Sequence, residues 1–91
     1  MSRDQSIKLL RRIPGVGKSI AGDLYDIGIR EVSDLVGRDP EQLYNCSNQK
    51  AGLTQDRCLL YVFRCAVYYA ETEPFEQEAE KLNWWYWKDK K

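Results

Sequence analysis

Gly15-Val16-Gly17-Lys18-Ser19 is the stretch of this sequence with the clearest chemistry. Two glycines flank one apolar residue, and a lysine and a serine follow. Residues of these types hold phosphate in two different ways. In a nucleotide-binding P-loop, glycine-rich backbone wraps a triphosphate while the Lys and Ser contact phosphate and magnesium. In a tight turn between helices, the glycines bare the first amides of the second helix. The partial positive charge there attracts an anion. The elements on either side decide between the two.

The P-loop requires G-x-x-x-x-G-K-[ST] after a buried strand. Counting back from Gly17 to the place of the first glycine reaches Arg12. Upstream, Ile7, Leu9, Leu10 and Ile13 form an apolar stripe among Lys8, Arg11 and Arg12. That is a short amphipathic helix, with Ser6 as N-cap and Pro14-Gly15 as its stop. No segment alternates at period two, so no parallel sheet can be built. A nucleotide is therefore excluded, and the chain reads as all-α.

The spacing predicts a second helix from about Lys18 to Ile27, with Gly28 as its left-handed stop. A very short third helix follows, Glu31 to Val36, closed by Gly37. Asp39-Pro40-Glu41-Gln42 opens a fourth, with Asp at N-cap, Pro at N1 and Gln as capping-box partner. It ends before Gly52. Thr54 or Asp56 caps the fifth and longest helix, which runs to about Thr72 before Pro74 stops it. That helix is apolar nearly all round. It is too short to cross a bilayer, so it reads as a central helix buried by its neighbours.

A weak repeat relates the two halves. Ile13-Pro14-Gly15-Val16-Gly17 lines up with Lys50-Ala51-Gly52-Leu53-Thr54; Ile7 then falls on Tyr44 and Ala21 on Cys58. Two copies of one hairpin are expected, the second degenerate. With 91 residues, one domain is expected: a helical core over 1–74 and a C-terminal extension over 75–91.

Apolar-Pro-Gly-apolar-Gly with alanine four residues later resembles the helix-hairpin-helix pattern, here Ile13, Pro14, Gly15, Val16, Gly17 and Ala21. Gly15, Val16, Gly17, Lys18 and Ser19 are the expected phosphate-binding residues. Val16 plugs the turn into the core, and Ala21 lets the helices approach. Arg11, Arg12, Lys50 and Arg57 are auxiliary basic candidates. Backbone amides read phosphate and not sequence, so the expected partner is DNA bound without sequence preference. A protein partner at the degenerate hairpin or the tail is the rival reading.

The resemblance extends along nearly the whole chain. IPGVGKSIAGDLYDIGI, DLVGRDPEQLY, DRCLLYVFRCAVYYA and KLNWWYWKD together resemble the bacterial pathogenicity-locus family of small helix-hairpin-helix proteins, some labelled mitomycin resistance protein. The resemblance implies an all-α, five-helix tandem helix-hairpin-helix (SAM-like) domain with an aromatic C-terminal extension. It implies a role with DNA, in repair or damage resistance. From the wider helix-hairpin-helix class it implies a monovalent cation, K+ or Na+, held by the backbone carbonyls of Arg11, Ile13 and Val16. No other cofactor is expected.

Charge and cysteine usage narrow the classes further. Fourteen basic side chains balance fourteen acids. The balance is uneven along the chain: residues 1–30 hold six basic side chains against three acids, and residues 71–91 hold six acids against four lysines. Three cysteines, no histidine and a start without an apolar signal region suggest a reduced, cytoplasmic protein. Without histidine the commonest general base and zinc ligand are gone, which points away from an enzyme. A thiol enzyme using Cys46, Cys58 or Cys65 is the residual alternative. Cys58 and Cys65 share a helix face about 10 Å apart, too far for a disulfide, and read as buried small apolar residues. Trp84-Trp85-Tyr86-Trp87 is expected to pack back over the fifth helix rather than stack on bases.

Overall fold

The structure is a computed structural model that describes residues 2–89. Four α-helices carry it: α1 (Arg3–Leu10), α2 (Lys18–Asp26), α3 (Pro40–Ala51) and α4 (Arg57–Glu71). Among the described residues there is no strand. The expected third helix is one 3-10 turn, Val32–Leu35. Its last apolar residue, Leu35, is fully buried, and a stretch this short closes 3-10 bonds more readily than a full α-turn.

α1 begins earlier than its apolar stripe suggests. Ser2, not Ser6, is the N-cap, in a reciprocal box with Gln5. Ser6 is instead completely buried. Asp39 caps α3 as expected, but its carboxylate accepts from the Glu41 amide, and Gln42 takes no part. Asp56 rather than Thr54 caps α4, accepting from the Cys58 amide at 2.8 Å.

The helices pack in two pairs, α1 on α2 and α3 on α4, and the Val32–Leu35 turn and the C-terminal extension also lie on α4. Leu10, Ile13, Ala21 and Leu24 of the first pair meet Leu43, Leu60, Phe63 and Ala66 of the second in one core. Truncating a fully buried aromatic such as Phe63 costs roughly 3–5 kcal/mol, a large part of what a domain this size has. Arg3 ties the first pair at its surface. Its guanidinium bonds Asp26 at 2.8 Å and lies over the Tyr25 ring, close above Gly22.

The two turns that the repeat aligns share a left-handed glycine, and beyond it they differ. Gly15 and Gly52 both take left-handed backbone, φ +84° and +73°. α2 starts immediately after Gly17, but α4 starts at Arg57, two residues beyond the place the repeat assigns. Ala21 therefore matches the buried Leu60, not Cys58, which is exposed.

The extension returns across α4 in three 3-10 turns, Pro74–Glu76, Ala79–Leu82 and Trp84–Trp87. Gln77 caps the end of α4 by donating to the carbonyls of Tyr69 and Thr72. Trp87 donates to the Lys81 carbonyl at 2.9 Å and its ring sits 5.5 Å from that of Tyr68. Trp84 packs on the core. The expected docking of the tail is thus present for Trp84 and Trp87, while Trp85 and Tyr86 stay exposed. No described helix is long and apolar enough to cross a membrane.

Candidate functional site

The end of α1 tightens before the first turn. Arg12 and Ile13 donate to Leu9 and Leu10, and Val16 then donates to the Ile13 carbonyl at 3.0 Å. Gly15 takes the left-handed residue this reversal needs. Val16 is only 5% exposed, so it plugs the turn as expected. Gly17 then opens α2 in extended backbone, φ −91° and ψ −172°. Any residue adopts that conformation, so Gly17 is not required by backbone angle. Nor does the protein's own packing require it: a Cβ there would meet nothing within 4 Å.

Gly17 is an N-cap without a side chain. Its carbonyl accepts from Ala21 at 2.9 Å. The amides of Gly15, Gly17, Lys18 and Ser19 meet no acceptor among the described residues. No acidic side chain stands in the first turn of α2. Lys18 and Ser19 are exposed there. The helix start therefore keeps its partial positive charge and several amides available together.

The second turn has spent the same groups internally. Asn48 accepts the Gln55 amide on its side chain at 2.9 Å, and the Leu53 amide on its carbonyl. Tyr44 donates to the Gln55 carbonyl. Asp56 supplies a carboxylate at the start of α4, and the backbone amide of Cys58 bonded to it holds its pKa below the ordinary value. Leu53, in the place of Val16, is 62% exposed. One turn presents bare amides; its copy is already filled by an anion of its own.

The auxiliary cations divide in the same way. Arg11, Arg12, Lys18 and Lys50 are exposed, and no ion pair engages them among the described residues. Arg57 is engaged: its Nε and Nη2 both donate to Asp89, at 2.8 and 2.6 Å. Of the three candidate cation-binding carbonyls, Ile13 already accepts from Val16, while those of Arg11 and Val16 accept nothing among the described residues.

Trp84 lies against the first turn: a Cβ on Gly15 would stand 3.5 Å from Trp84 Cδ1. The Lys88 ammonium lies 5.7 Å from the Trp84 ring centre. Sequence reasoning missed this neighbour of the turn, and also the cluster on α4 where Arg57, Tyr61 and Arg64 all donate to Asp89. The 57–61–64 spacing, one face of a helix, is the signal that could have found it.

The thiols do not converge. Cys46 and Cys58 are exposed and Cys65 is buried, so the expectation of buried residues fails for Cys58. It lies in the first turn of α4, on the side turned from the core. The Asp56 carboxylate pushes its pKa up, and burial pushes Cys65 to about 11. No group of three potential metal ligands comes together among the described residues.

A family model described as "Cdd1: Pathogenicity locus" matches residues 3–91. The chain belongs to this family. The Cdd1 assignment spans both helix pairs and the docked extension, so the aromatic tail is part of the family's domain. A curated relative, "Mitomycin resistance protein McrB" of Streptomyces lavendulae, is 35% identical over 78 residues, covering 86% of this chain and 69% of the relative. No solved structure matches the chain.

Proposed function

We propose that this chain is a tandem helix-hairpin-helix domain that binds DNA without sequence preference, holding a backbone phosphate at the first turn. The observation that carries the reading is the contrast between the two turns. Gly17, Lys18 and Ser19 present amides with no acceptor among the described residues, while the second turn answers its own amides with Asn48 and Asp56. An anion fits the first and not the second.

Phosphate oxygen approaches closely over Gly17, where no Cβ intervenes. Lys18, Arg11 and Arg12 add charge around it, and a monovalent cation at the carbonyls of Arg11, Ile13 and Val16 belongs to the same proposal. The raised thiol pKa values of Cys58 and Cys65 favour a binding module over a thiol enzyme, which needs a ready thiolate. The relative's name, mitomycin resistance, supports a setting in DNA damage resistance.

A second reading has its own observation. Leu53, Phe75, Trp85 and Tyr86 are large apolar side chains in solvent, and a protein partner would cover them. Titration against duplex, junction and single-stranded DNA at two salt concentrations tests the first reading. Salt-dependent binding supports it; no binding to any of the three leaves the protein-contact reading.

A further inference from the structure

Asp89 receives an unusual convergence of donors. Its Oδ2 accepts from Arg57 Nε at 2.8 Å, Arg57 Nη2 at 2.6 Å and the Tyr61 hydroxyl at 3.2 Å. Its Oδ1 accepts from Arg64 Nη1 at 2.9 Å. The three donors stand at i, i+4 and i+7 on α4 and form one stripe. Two guanidiniums and a hydroxyl around one small oxyanion are what a phosphate group requires, because the guanidinium fork serves carboxylate and phosphate alike.

We propose that the Arg57–Tyr61–Arg64 stripe is a second DNA-phosphate site, and that the C-terminal tail keeps it closed by seating Asp89 in the phosphate's place. The proposal rests on the DNA-binding reading and adds regulation to it. The tail thereby competes with the ligand.

The placement fits a competitor. Trp84 touches the first turn at Gly15, Lys88 reaches back over Trp84, and the charge of Lys88 is felt at Cys58 in the first turn of α4. Residues 84–89 therefore bridge the start of α4 and the first turn, and both sites lie along one strap. The lock is also shallow. At Arg57 the side chains of the pair are 53% and 41% exposed, and an ion pair this wet holds weakly, whereas Arg64 is 22% exposed and is the firmer partner. The remaining tail has anchors of its own in Trp87 and Gln77, so only its end has to move.

Release does not free both arginines equally. Arg64 keeps Glu41 at 3.5 Å and the Trp87 carbonyl at 2.8 Å, whereas Arg57 loses both of its bonds to Asp89. Asp56 at the same helix end opposes an incoming anion, so the site needs both guanidiniums.

Fluorescence anisotropy on a labelled duplex at two salt concentrations tests this, with melting curves to verify each fold. Asp89→Asn is compared with the parent and with Glu80→Gln, an exposed charge-matched control. Asp89→Asn is expected to bind roughly three- to tenfold tighter at low salt, with the log–log salt slope steeper by about 0.9 per phosphate engaged. Arg57→Gln added to Asp89→Asn should erase the gain, and Arg57→Gln alone should change little. A gain no larger than that of Glu80→Gln overturns the proposal. So does an equal loss from Arg57→Gln in both backgrounds. A gain that persists when Gly17→Val is added supports the stripe, and it counts against the first-turn site only where Gly17→Val by itself leaves parent binding unchanged. Loss of parent binding through Gly17→Val, with no gain from Asp89→Asn, does the reverse. No binding by any of these chains overturns both.

Discussion

Trp84 covers Gly15, with 3.5 Å between Trp84 Cδ1 and the position of a Cβ on the glycine. The last aromatic segment of the chain thus supports the first turn, across more than sixty residues of sequence. Gly15 is held by its left-handed backbone, and a Cβ there would stand in ordinary contact with the Trp84 side chain. Gly17, two residues on, has neither the backbone angle nor the neighbour.

Deleting residues 82–91 should therefore destabilise the whole domain. The deletion removes Trp84 from the core and Trp87 from Tyr68. In a domain of this size each kcal/mol lost lowers Tm by about 4–8 °C. A drop of several degrees in a thermal melt followed by circular dichroism is expected; an unchanged Tm would show that the tail is not docked.

The three thiols should separate by rate. Cys65 is fully buried with its pKa raised to about 11, so it should label only in denaturant. Cys46 and Cys58 are exposed and should label in the native protein. Cys58 should lag Cys46, because the neighbouring Asp56 carboxylate disfavours its thiolate. Mass spectrometry after timed alkylation reads this directly. Fast native labelling of Cys65 would contradict the packing described for α4.

The tail lock should loosen in acid. Hydrogen bonds from Arg57, then Arg64, hold Asp89 below its ordinary 3.8. A carboxylate with a depressed folded pKa adds stability that is complete above its unfolded value. That stability is lost as pH falls through the folded pKa. Tryptophan emission should therefore report tail movement below about pH 4, ahead of global unfolding, and Asp89→Asn should show no such step. An acid transition identical in the variant would place the titration elsewhere.

Much of this architecture was legible in the sequence, for local reasons. α2, α3 and α4 follow from apolar spacing and from Gly17, Asp39 and Asp56 at their starts. The turn at Ile13–Gly17 follows from its glycines. The errors came where a local signal had a stronger competitor. Ser6 looks like a cap, yet the Ser2–Gln5 box takes that role and Ser6 is buried. Cys58 looks internal because its neighbours are apolar, but the Asp56 cap shifts α4 by two residues and turns it outward. Asp89 reads as one more charge in an acidic tail, and its role depends on a fold that brings it beside Arg57 and Arg64.

Gly17 gives the cleanest access to the central claim. Gly15→Val would strain the left-handed backbone beside Trp84, so it confuses binding with folding. Gly17→Val adds side-chain atoms to open space on extended backbone, and the fold should persist. Duplex-DNA affinity of the parent, Gly17→Val and Lys18→Ala, each titrated at two salt concentrations after circular dichroism, is the decisive measurement. Lys18→Ala should lower the salt slope by about 0.9, one phosphate's worth. Gly17→Val should weaken binding more than Lys18→Ala, because it blocks the amides themselves. A folded Gly17→Val chain that binds duplex DNA as tightly as the parent would contradict the account.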